Sequence, residues 1–451
     1  MSVASSSEAR PQWVSNTPSS GGPLPGLSYG YPGKQAMPWR ERIRNFTPAW
    51  FYVTMGLAIT TLQFMVIPWH HELLVLKVIF LIFWLTTLLV IFAFLGLTIA
   101  RYVMFPDLWQ KVWDHPDEAM YFACLPMSLI PMQNGMSEGL DLWWGLGGHN
   151  SARFLWFIFG CWLATTLLGY TIAFVCFKKM ITVHRHDMKT MTAAWLAPFG
   201  ALIVDGSAGT LMTPLLAEHN PSIGMFAGLW ATMTVSIGLS VSVLVMAILL
   251  QRMFVDGLPP AKHIWTSWSV LSVTTQAGFT ILALGGAFNA LLPVHYGTSK
   301  LLTHPAIGEI IYAIGITIGM VLWFVSIFAI IFAIRLLQFA VWTVSKQEGL
   351  IFGPNCWAWV FPFGVFAVHT YGNGLYFDSQ FFRILGGILN IITILGSSVM
   401  IVLTVPQFFR GTMFTYSYVV DDEAMGIQYS HKQTDAARSI WAEEKGDMSL
   451  N

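Results

Sequence analysis

The stretch WAWVFPFGVFAVHT at residues 357–370 is almost entirely apolar, yet it contains a proline in mid-run and a histidine near its end. A helix in a soluble core gains little from this combination, because proline removes a backbone hydrogen bond and clashes with the preceding turn. In a bilayer, the backbone groups that proline or glycine releases need partners inside the protein, since lipid offers none. The stretch therefore favours a membrane helix that is surrounded by protein or water.

The composition of the whole chain supports a membrane protein. Of its 451 residues, 55% are hydrophobic and only 10% are charged, and the mean hydropathy is +0.61. Soluble domains carry about 25% charged residues, so this chain has too few charges for an entirely water-exposed surface. The 20 Trp and 33 Phe residues are typical of aromatic belts at two membrane interfaces. A net charge of zero gives no electrostatic argument for a nucleic-acid partner.

Ten apolar windows are long enough to cross the bilayer, which takes about 20 helical residues. They predict an all-α membrane protein with spans near 48–68, 73–100, 119–145, 152–177, 193–217, 222–251, 264–290, 306–340, 356–376 and 381–406. The Ser-, Pro- and Gly-rich start of the chain predicts a disordered arm. The predicted organisation is an arm at 1–45, a ten-helix transmembrane domain at 46–410 and a tail at 411–451.

Lysine and arginine residues alternate between the two sides of these spans. Four of the 23 are Lys77, Arg153, Lys300 and Arg383, and the other 19 fall in the arm, the tail and every second loop. Cytoplasmic segments carry the excess of Lys and Arg, so a multi-pass protein with both termini in the cytosol is predicted. A wrong number of spans would disturb this loop-by-loop alternation.

Helix breakers fall mainly on alternate spans. The even-numbered spans are long and continuous, whereas the odd-numbered spans are shorter and contain prolines and glycines. The breakers on the odd-numbered spans include Pro126, Pro131, Gly135, Pro198, Gly200, Gly206, Gly209, Pro214, Gly278, Gly285, Gly286, Pro362 and Gly364. This pattern predicts five helical hairpins, each with one inner and one outer helix, around a central pore. The alternative is that small residues only allow close helix packing.

Two ionisable residues lie within the odd-numbered spans. Asp205, in ALIVDGSAGT, is the one acid in the middle of a span, where a carboxylate costs at least about 3 kcal/mol on insertion scales. It is either a functional, proton-linked residue or a structural one that is hydrogen-bonded to a nearby helix. His369, in the ninth span, has the same two interpretations.

Motifs for chemistry are missing from the sequence. It contains no HExxH, GxSxG or Walker motif, and its four cysteines have no metal-binding spacing. The sequence therefore predicts no enzyme, no catalytic residue, no cofactor and no metal site.

Five stretches together resemble the tellurite-resistance/dicarboxylate transporter family. They are FTPAWFYVTMG (46–56), HPDEAMYFACLPM (115–127), HDMKTMTAAWLAPFGALIVDGSAGTL (186–211), GEIIYAIGITIGMVLWF (308–324), and the opening stretch followed by FFRILGGI (381–388). The family includes fungal sulfite efflux pumps, fungal malic acid permeases and the slow anion channels of plant guard cells. The combinations FPFGVF…FFRILG and MTAAWL are most similar to the sulfite pumps of filamentous fungi.

The resemblance implies a plasma-membrane anion transporter with ten helices in five hairpins around a pore, usually as a homotrimer in the lipid bilayer. The implied substrate is a small inorganic or carboxylate anion. Sulfite or bisulfite export is the first interpretation. A carrier of C4-dicarboxylates such as malate, a gated anion channel and an inactive relative are the alternatives.

In that family a phenylalanine directly before the proline of the ninth helix plugs the pore. This position is Phe361 here, with Pro362 next to it. An aromatic plug in an apolar constriction blocks ions by excluding water. The pore-lining or kink positions on the other odd-numbered spans are then Pro126, Pro198, Gly206, Gly209, Gln276 and Gly278.

An anion pore needs a positive potential, and the odd-numbered spans contain almost no Lys or Arg. Helix dipoles and hydroxyls such as Thr274, Thr275 and Ser207 are the available attractions. A charged Asp205 on the pore would repel a monoanion by about 4 kcal/mol at a separation of about 4 Å. Asp205 should therefore be neutral, face away from the pore or take part in proton coupling. The lack of a fixed cation favours a small oxyanion over a dicarboxylate.

Overall fold

The computed structural model describes residues 37–69, 73–145, 152–184, 186, 188–257, 261–295, 298–343, 352–414 and 419–420. Within these ranges the protein is helical and has no β-strand, which confirms the all-α prediction. The α-helices are α1 (Trp39–Arg44), α2 (Phe51–Gln63), α3 (Leu74–Met104), α4 (Asp107–Asp114), α5 (Cys124–Asn134), α6 (Asp141–Trp144), α7 (Ala152–Thr182), α8 (Ala197–His219), α9 (Pro221–Asp256), α10 (Trp268–Leu291), α11 (Ile307–Thr343), α12 (Val360–Tyr376) and α13 (Gln380–Arg410).

Seven of the predicted spans are helices that are long and apolar enough to cross a membrane. They contain α3, α7, α8, α9, α10, α11 and α13. The other three predicted spans consist of shorter helices. The first holds α2, with 13 residues, and the ninth holds α12, with 17 residues. The third is divided between α5, a π-helical turn at Gly135–Leu140 and α6. For these three, a full crossing stays a prediction.

The five helices α2, α5, α8, α10 and α12 begin with the same local structure. A 3₁₀ turn leads directly into each of them, and we call these segments the five leading turns. They are Pro48–Trp50, Glu118–Ala123, Ala193–Leu196, Ala261–Ser267 and Pro354–Trp359. Such turns are frequent at the ends of α-helices. Their recurrence on every odd-numbered predicted span is an internal repeat of structure.

The leading turns account for three of the predicted kinks. Pro126, Pro198 and Pro362 lie in the first turn of α5, α8 and α12. Proline is tolerated there because its fixed φ suits the start of a helix and its missing N–H group is not needed by the first turn. At these positions the structure has a change from 3₁₀ to α winding rather than a bend in mid-helix.

The same five helices form a closed cycle of contacts. Helix α2 packs on α5, α5 on α8, α8 on α10, α10 on α12, and α12 on α2. The leading turns contact one another in the same cyclic order. Since neighbouring helices meet through their first turns, the five helices run parallel and their N-termini converge at one end of the protein. We call this end the leading end.

The remaining long helices pack around this cycle. Helix α3 contacts α2, α7 contacts α5 and α8, α9 contacts α8 and α10, α11 contacts α10, and α13 contacts α12 and α2. In an apolar window of 18 residues, 83% of the residues are buried in Ala193–His219 and 72% in His263–Leu291. In the five surrounding helices the buried share of such a window is 28–39%. The surrounding helices expose large apolar side chains, as lipid contact requires, and Leu89 and Phe328 are examples.

Helix α1 lies within the predicted disordered arm. The Arg40 guanidinium lies over the Phe105 ring at 5.6 Å, and Arg42 donates hydrogen bonds to the carbonyl oxygens of Met37 and Phe408. The last residues of the arm are therefore held by the ends of α3 and α13. The part of the arm at residues 1–36 lies outside the described residues.

Part of the predicted tail also packs against the leading end. Met413 and Phe414 are buried, and the backbone N–H of Val419 donates to Glu118 Oε1 at 3.1 Å. Glu118 begins the leading turn of α5, and its carboxylate lies 3.8 Å from Arg101 Nη2. Residues 421–451 lie outside the described residues.

Candidate functional site

The candidate site is the interior of the cycle formed by α2, α5, α8, α10 and α12. Between the bounds given above, none of these helices contains a lysine or an arginine. Each parallel helix carries a partial positive charge of about +0.5 at its N-terminus, and five such termini meet at the leading end. The arrangement is thus weakly attractive to anions at one end, and the helices themselves add no fixed cation.

Phe361 is the second residue of α12 and is buried, with 1% of its surface exposed. It belongs to an apolar cluster that also contains Leu57 of α2, Cys124 of α5 and Ala201 of α8. Among the described residues, no second aromatic ring stacks on it. Phe361 therefore belongs to the apolar cluster shared by several helices of the cycle, and no aromatic ring of a surrounding helix holds it.

Phe366 on the same helix is held differently. Its ring stacks on Trp323 of α11, with a centroid distance of 6.0 Å and an interplanar angle of 14°. Thr370, one turn further on, accepts a hydrogen bond from Trp323 Nε1 at 2.9 Å. Phe366 and Thr370 therefore fasten α12 to the surrounding helix α11, which Phe361 does not do through a stacking contact.

Gln63 is a residue that the sequence analysis missed. Its Nε2 donates to the carbonyl oxygens of Gly364 at 3.1 Å and Ile59 at 3.3 Å. Gly364 lies one turn after Phe361, and a Cβ there would lie 2.8 Å from Ile59 Cγ1. The bond therefore holds α2 close to the part of α12 that carries Phe361. The available signal was a lone glutamine in the apolar run TTLQF.

Asp205 is fully buried and faces the surrounding helix α7. Thr166 Oγ1 donates to both carboxylate oxygens, at 3.0 Å to Oδ1 and 2.8 Å to Oδ2. The backbone carbonyl of Asp205 accepts a hydrogen bond from Trp162 Nε1 at 3.2 Å. The sequence allowed Asp205 to be neutral, to face away from the pore or to take part in proton coupling. This geometry matches the second possibility, because the carboxyl group points towards α7.

His369 also turns towards neighbouring helices. Its ring fills the space where a Cβ of Gly278, on α10, would otherwise lie, and the backbone of Gly319 on α11 is close by. Asn373 follows one turn later and is likewise fully buried. Among the described residues, neither polar atom of the Asn373 amide has a hydrogen-bond partner. The missing side chain of Gly278 thus leaves the space that the His369 ring occupies.

The glycines of α8 that were predicted as pore-lining make close packing contacts. A Cβ on Gly206 would overlap Val235 of α9, and a Cβ on Gly209 would overlap the indole of Trp162 on α7. Both contacts are those of small residues that let two helices approach closely. A lining role for these two glycines stays a prediction, and their observed contacts agree with the packing alternative.

The predicted hydroxyl groups are largely engaged. Thr274 Oγ1 accepts from Ser326 of α11 at 2.9 Å, and Thr275 Oγ1 donates to the Leu271 carbonyl at 2.7 Å. Asn134 Nδ2 of α5 donates to Ser207 Oγ at 3.3 Å. Gln276 donates to Thr280 within its own helix at 3.4 Å. Thr274 therefore joins α10 to α11 and Asn134 joins α5 to α8, whereas Thr275 and Gln276 bond within α10.

The predicted positions divide into two groups. Phe361, Pro362, Pro126 and Pro198 lie in first turns at the leading end, where the cycle brings them to the same level of the protein. The second group lies deeper and contacts a surrounding helix, its own helix or, for Gly278 and His369, the other member of the pair on α10 and α12. It consists of Asp205, Gly206, Gly209, Gln276, Gly278 and His369.

Metal binding receives no support from the part of the chain that the structure describes. No group of three or more His, Cys, Asp or Glu side chains there could hold a metal ion. The site is therefore described by its shape, its helix termini and its polar contacts.

Comparison with known proteins gives one family over most of the chain. The family model described as voltage-dependent anion channel matches residues 45–405. A sulfite efflux pump of Trichophyton rubrum is 28% identical over 351 residues, which cover 78% of this chain and 87% of that protein. A putative malic acid transport protein of Schizosaccharomyces pombe is 22% identical over 307 residues, covering 65% of this chain and 66% of that protein. An uncharacterized transporter of Methanocaldococcus jannaschii is 25% identical over 340 residues, covering 73% and 85%.

Proposed function

The chain belongs to the voltage-dependent anion channel family, and on this basis we propose that it exports sulfite or bisulfite across the plasma membrane. In this proposal, ten helices form five hairpins, and the space inside the closed cycle is the pore. The closed order of contacts among α2, α5, α8, α10 and α12 supports it. The difference in burial between these helices and the surrounding ones supports it as well. A homotrimer is part of the same proposal and rests on the family resemblance.

The observation that carries the choice of substrate is the charge pattern of the cycle. Five parallel helix N-termini attract an anion to the leading end, and no lysine or arginine lies on the helices themselves. A divalent dicarboxylate would need a fixed cation to compensate for its lost hydration. A small, singly charged oxyanion such as bisulfite loses less hydration and needs only weak attraction. The similarity to sulfite efflux pumps supports the same choice.

The proposed direction of transport follows from orientation. The excess of Lys and Arg assigns the side with both termini to the cytosol, and the leading end carries helix α1 and the packed part of the tail. The attractive helix termini would then collect anions from the cytosol. This favours export over uptake.

Phe361 is the proposed gate. Its ring is buried in the apolar cluster that spans several helices of the cycle and has no aromatic partner among the described residues. Such a ring can move without breaking a stacking contact or a hydrogen bond. While it stays in place, the constriction is too apolar to hold water, and ions are excluded. Pro362 sets the start of α12 and thereby the direction in which the ring points.

A malate carrier is the second candidate, because a putative malic acid transport protein covers two thirds of the chain. The two substrates are best separated in cells that lack their own sulfite exporter and malate carrier. Efflux and uptake of both solutes would be measured side by side. We expect sulfite efflux well above the background of empty cells and little malate transport. Malate transport without sulfite efflux would overturn the proposal.

The gate is tested by Phe361→Ala with Phe366→Ala as the matched control. Both remove a buried phenyl ring from α12, but only Phe361 lacks a stacking partner on a surrounding helix. We expect Phe361→Ala to raise sulfite flux severalfold, and Phe366→Ala to lower protein stability without raising flux per folded molecule. Equal flux in the two folded variants would contradict the gate.

A further inference from the structure

A long apolar groove lies on the outer surface, between α3 and α13. Both helices pack on α2, which forms the floor of the groove together with Trp357. The cavity volume is about 470 Å³. Its lining, which we call the seam groove, includes Val53, Thr86, Val90, Ala93, Ile401 and Val405. The groove is outside the helix cycle and takes no part in the proposed gate.

The polar atoms in the seam groove are few, and two of its hydroxyls are already engaged. Thr87 Oγ1 pairs with Thr61 Oγ1 at 3.4 Å, and Thr404 Oγ1 accepts from Trp357 Nε1 at 2.8 Å. Both walls belong to helices that are long and apolar enough to cross a membrane. The surrounding medium of the groove is therefore lipid, and its occupant must be apolar.

The shape of the groove favours a hydrocarbon chain over a protein helix. Its lining on α3 runs from Ile82 to Leu97, which at about 1.5 Å per residue is a length of roughly 22 Å. One extended acyl chain can lie along this length with apolar side chains on both walls and the floor. An α-helix with side chains is about 10–12 Å wide and would lie over the open side of the groove rather than in it.

Basic side chains lie at the leading end of the groove. Helix α1 lies across this end, since Arg40 covers Phe105 just after α3 and Arg42 donates to the Phe408 carbonyl on α13. Arg40 is exposed, as is Arg410 at the last position of α13. The exposed Trp39 beside them is typical of a membrane interface. The one acid on α1 is Glu41.

We propose that the seam groove binds one acyl chain of an anionic phospholipid, whose phosphate is held by Arg40 and Arg410. A guanidinium group matches a phosphate through paired N–H donors. Lipids of negative charge are enriched in the cytoplasmic leaflet, on which side the proposed orientation puts α1. The site does not depend on which anion the protein transports, because no residue of the helix cycle other than the floor of α2 and Trp357 takes part.

The test uses the full chain, purified in detergent and mixed with dioleoyl phosphatidylserine or dioleoyl phosphatidylcholine, with bound lipid counted by native mass spectrometry. Ala93→Trp fills the groove, and Ala164→Trp makes the same change on the exposed face of α7. We expect Ala93→Trp to lose most of the bound lipid of both kinds and Ala164→Trp to keep it. Thermal stability of the two variants should match, so that unfolding does not explain the loss.

The headgroup contact is tested by the double variant Arg40→Gln and Arg410→Gln, with Arg335→Gln on α11 as the control for charge. At about 1 kcal/mol per basic residue, the double variant should weaken phosphatidylserine binding by about 25-fold and leave phosphatidylcholine binding unchanged. Equal lipid binding by Ala93→Trp and Ala164→Trp would overturn the proposal. So would a change of oligomeric state in Ala93→Trp with unchanged lipid binding, because a second copy of the chain would then be the occupant.

Discussion

The helices of the cycle and the helices around it differ in how much of their surface is buried in the protein. In an apolar window of 18 residues, 83% of the residues are buried in Ala193–His219 and 28% in Leu74–Met104. The buried helices carry Asp205 and His369, whereas the surrounding helices present large apolar side chains such as Leu89 and Phe328 at their surface. This reverses the arrangement of a soluble protein, because lipid satisfies no polar group and protein does.

The direction of the polar side chains is the more instructive difference. Asp205 is bonded to Thr166 of α7, Thr274 to Ser326 of α11, and Gln133 to Thr165 of α7. In each pair a polar group of the cycle meets one of a surrounding helix. These polar residues of the inner helices therefore join the two layers, whereas Asn134 and Ser207 join two helices of the cycle to each other.

The two layers should differ most in how they tolerate added volume. Gly209→Leu places a side chain where Trp162 of α7 already lies, whereas Gly160→Leu meets nothing within 4 Å. We expect Gly209→Leu to lose folded protein, since overpacking typically costs about 1–3 kcal/mol and the added side chain would overlap the Trp162 indole. Gly160→Leu should be neutral or slightly stabilising. Size-exclusion profiles after a heat step in detergent measure both, and similar survival of the two variants would contradict the packing of α7 on α8.

Removal of volume should show the same contrast at a smaller scale. Leu202 of α8 is 1% exposed and Leu89 of α3 is 70% exposed. We expect Leu202→Ala to cost about 2–3 kcal/mol through the cavity that it leaves. Leu89→Ala should cost almost nothing, because lipid tails replace the lost contacts. Melting temperatures in the same detergent compare the two, and an equal loss would mean that α8 also faces lipid.

A contact within the cycle gives the next smaller effect. Gln63→Leu removes the hydrogen bond to the Gly364 carbonyl and should cost about 1 kcal/mol. Because α12 is then held less firmly one turn after Phe361, we expect sulfite flux to rise by less than in Phe361→Ala. Gln407→Leu, at the exposed end of α13, is the control. A flux unchanged from the wild type would limit Gln63 to a stabilising role.

The smallest effect is expected at the one acid in mid-helix. Asp205→Asn keeps an acceptor for Thr166 on the surrounding helix α7. We therefore expect sulfite flux and its dependence on pH to stay as in the wild type. Thr166→Val, which removes the same hydrogen bond from the other side, should lower thermal stability and also leave the pH profile unchanged. A shifted profile in Asp205→Asn alone would instead support proton coupling.

The positions of most long helices could be predicted from the sequence, because a run of apolar residues is a local property of the chain. The predicted spans 222–251 and 381–406 lie within Pro221–Asp256 and Gln380–Arg410. The third span followed less well, since it contains a π-helical turn at Gly135–Leu140 where the sequence shows only scattered small residues. The arm was predicted as disordered up to residue 45, yet Trp39–Arg44 is a helix because the ends of α3 and α13 supply partners for its arginines.

The candidate site followed from the sequence only in part. The motif around Phe361 and Pro362 identified the position of the proposed gate, but the sequence could not give the direction of Asp205, His369 or Gly206. A helical position is known from the spacing of residues along the chain, whereas its direction depends on how far the helix is rotated against its neighbours. Gln63 was missed for the same reason, because its partner Gly364 lies 301 residues away.

The sequence by itself determined that this chain is a helical membrane protein, and it also determined which spans carry the breakers. Both properties depend on the transfer of side chains and backbone groups into lipid, which each segment undergoes on its own. Only the tertiary structure decided that five helices close into one cycle with their first turns together, and which of their polar groups meet a surrounding helix and which meet another helix of the cycle. These properties depend on contacts between segments far apart in the chain, where one hydroxyl or one missing Cβ decides which faces meet.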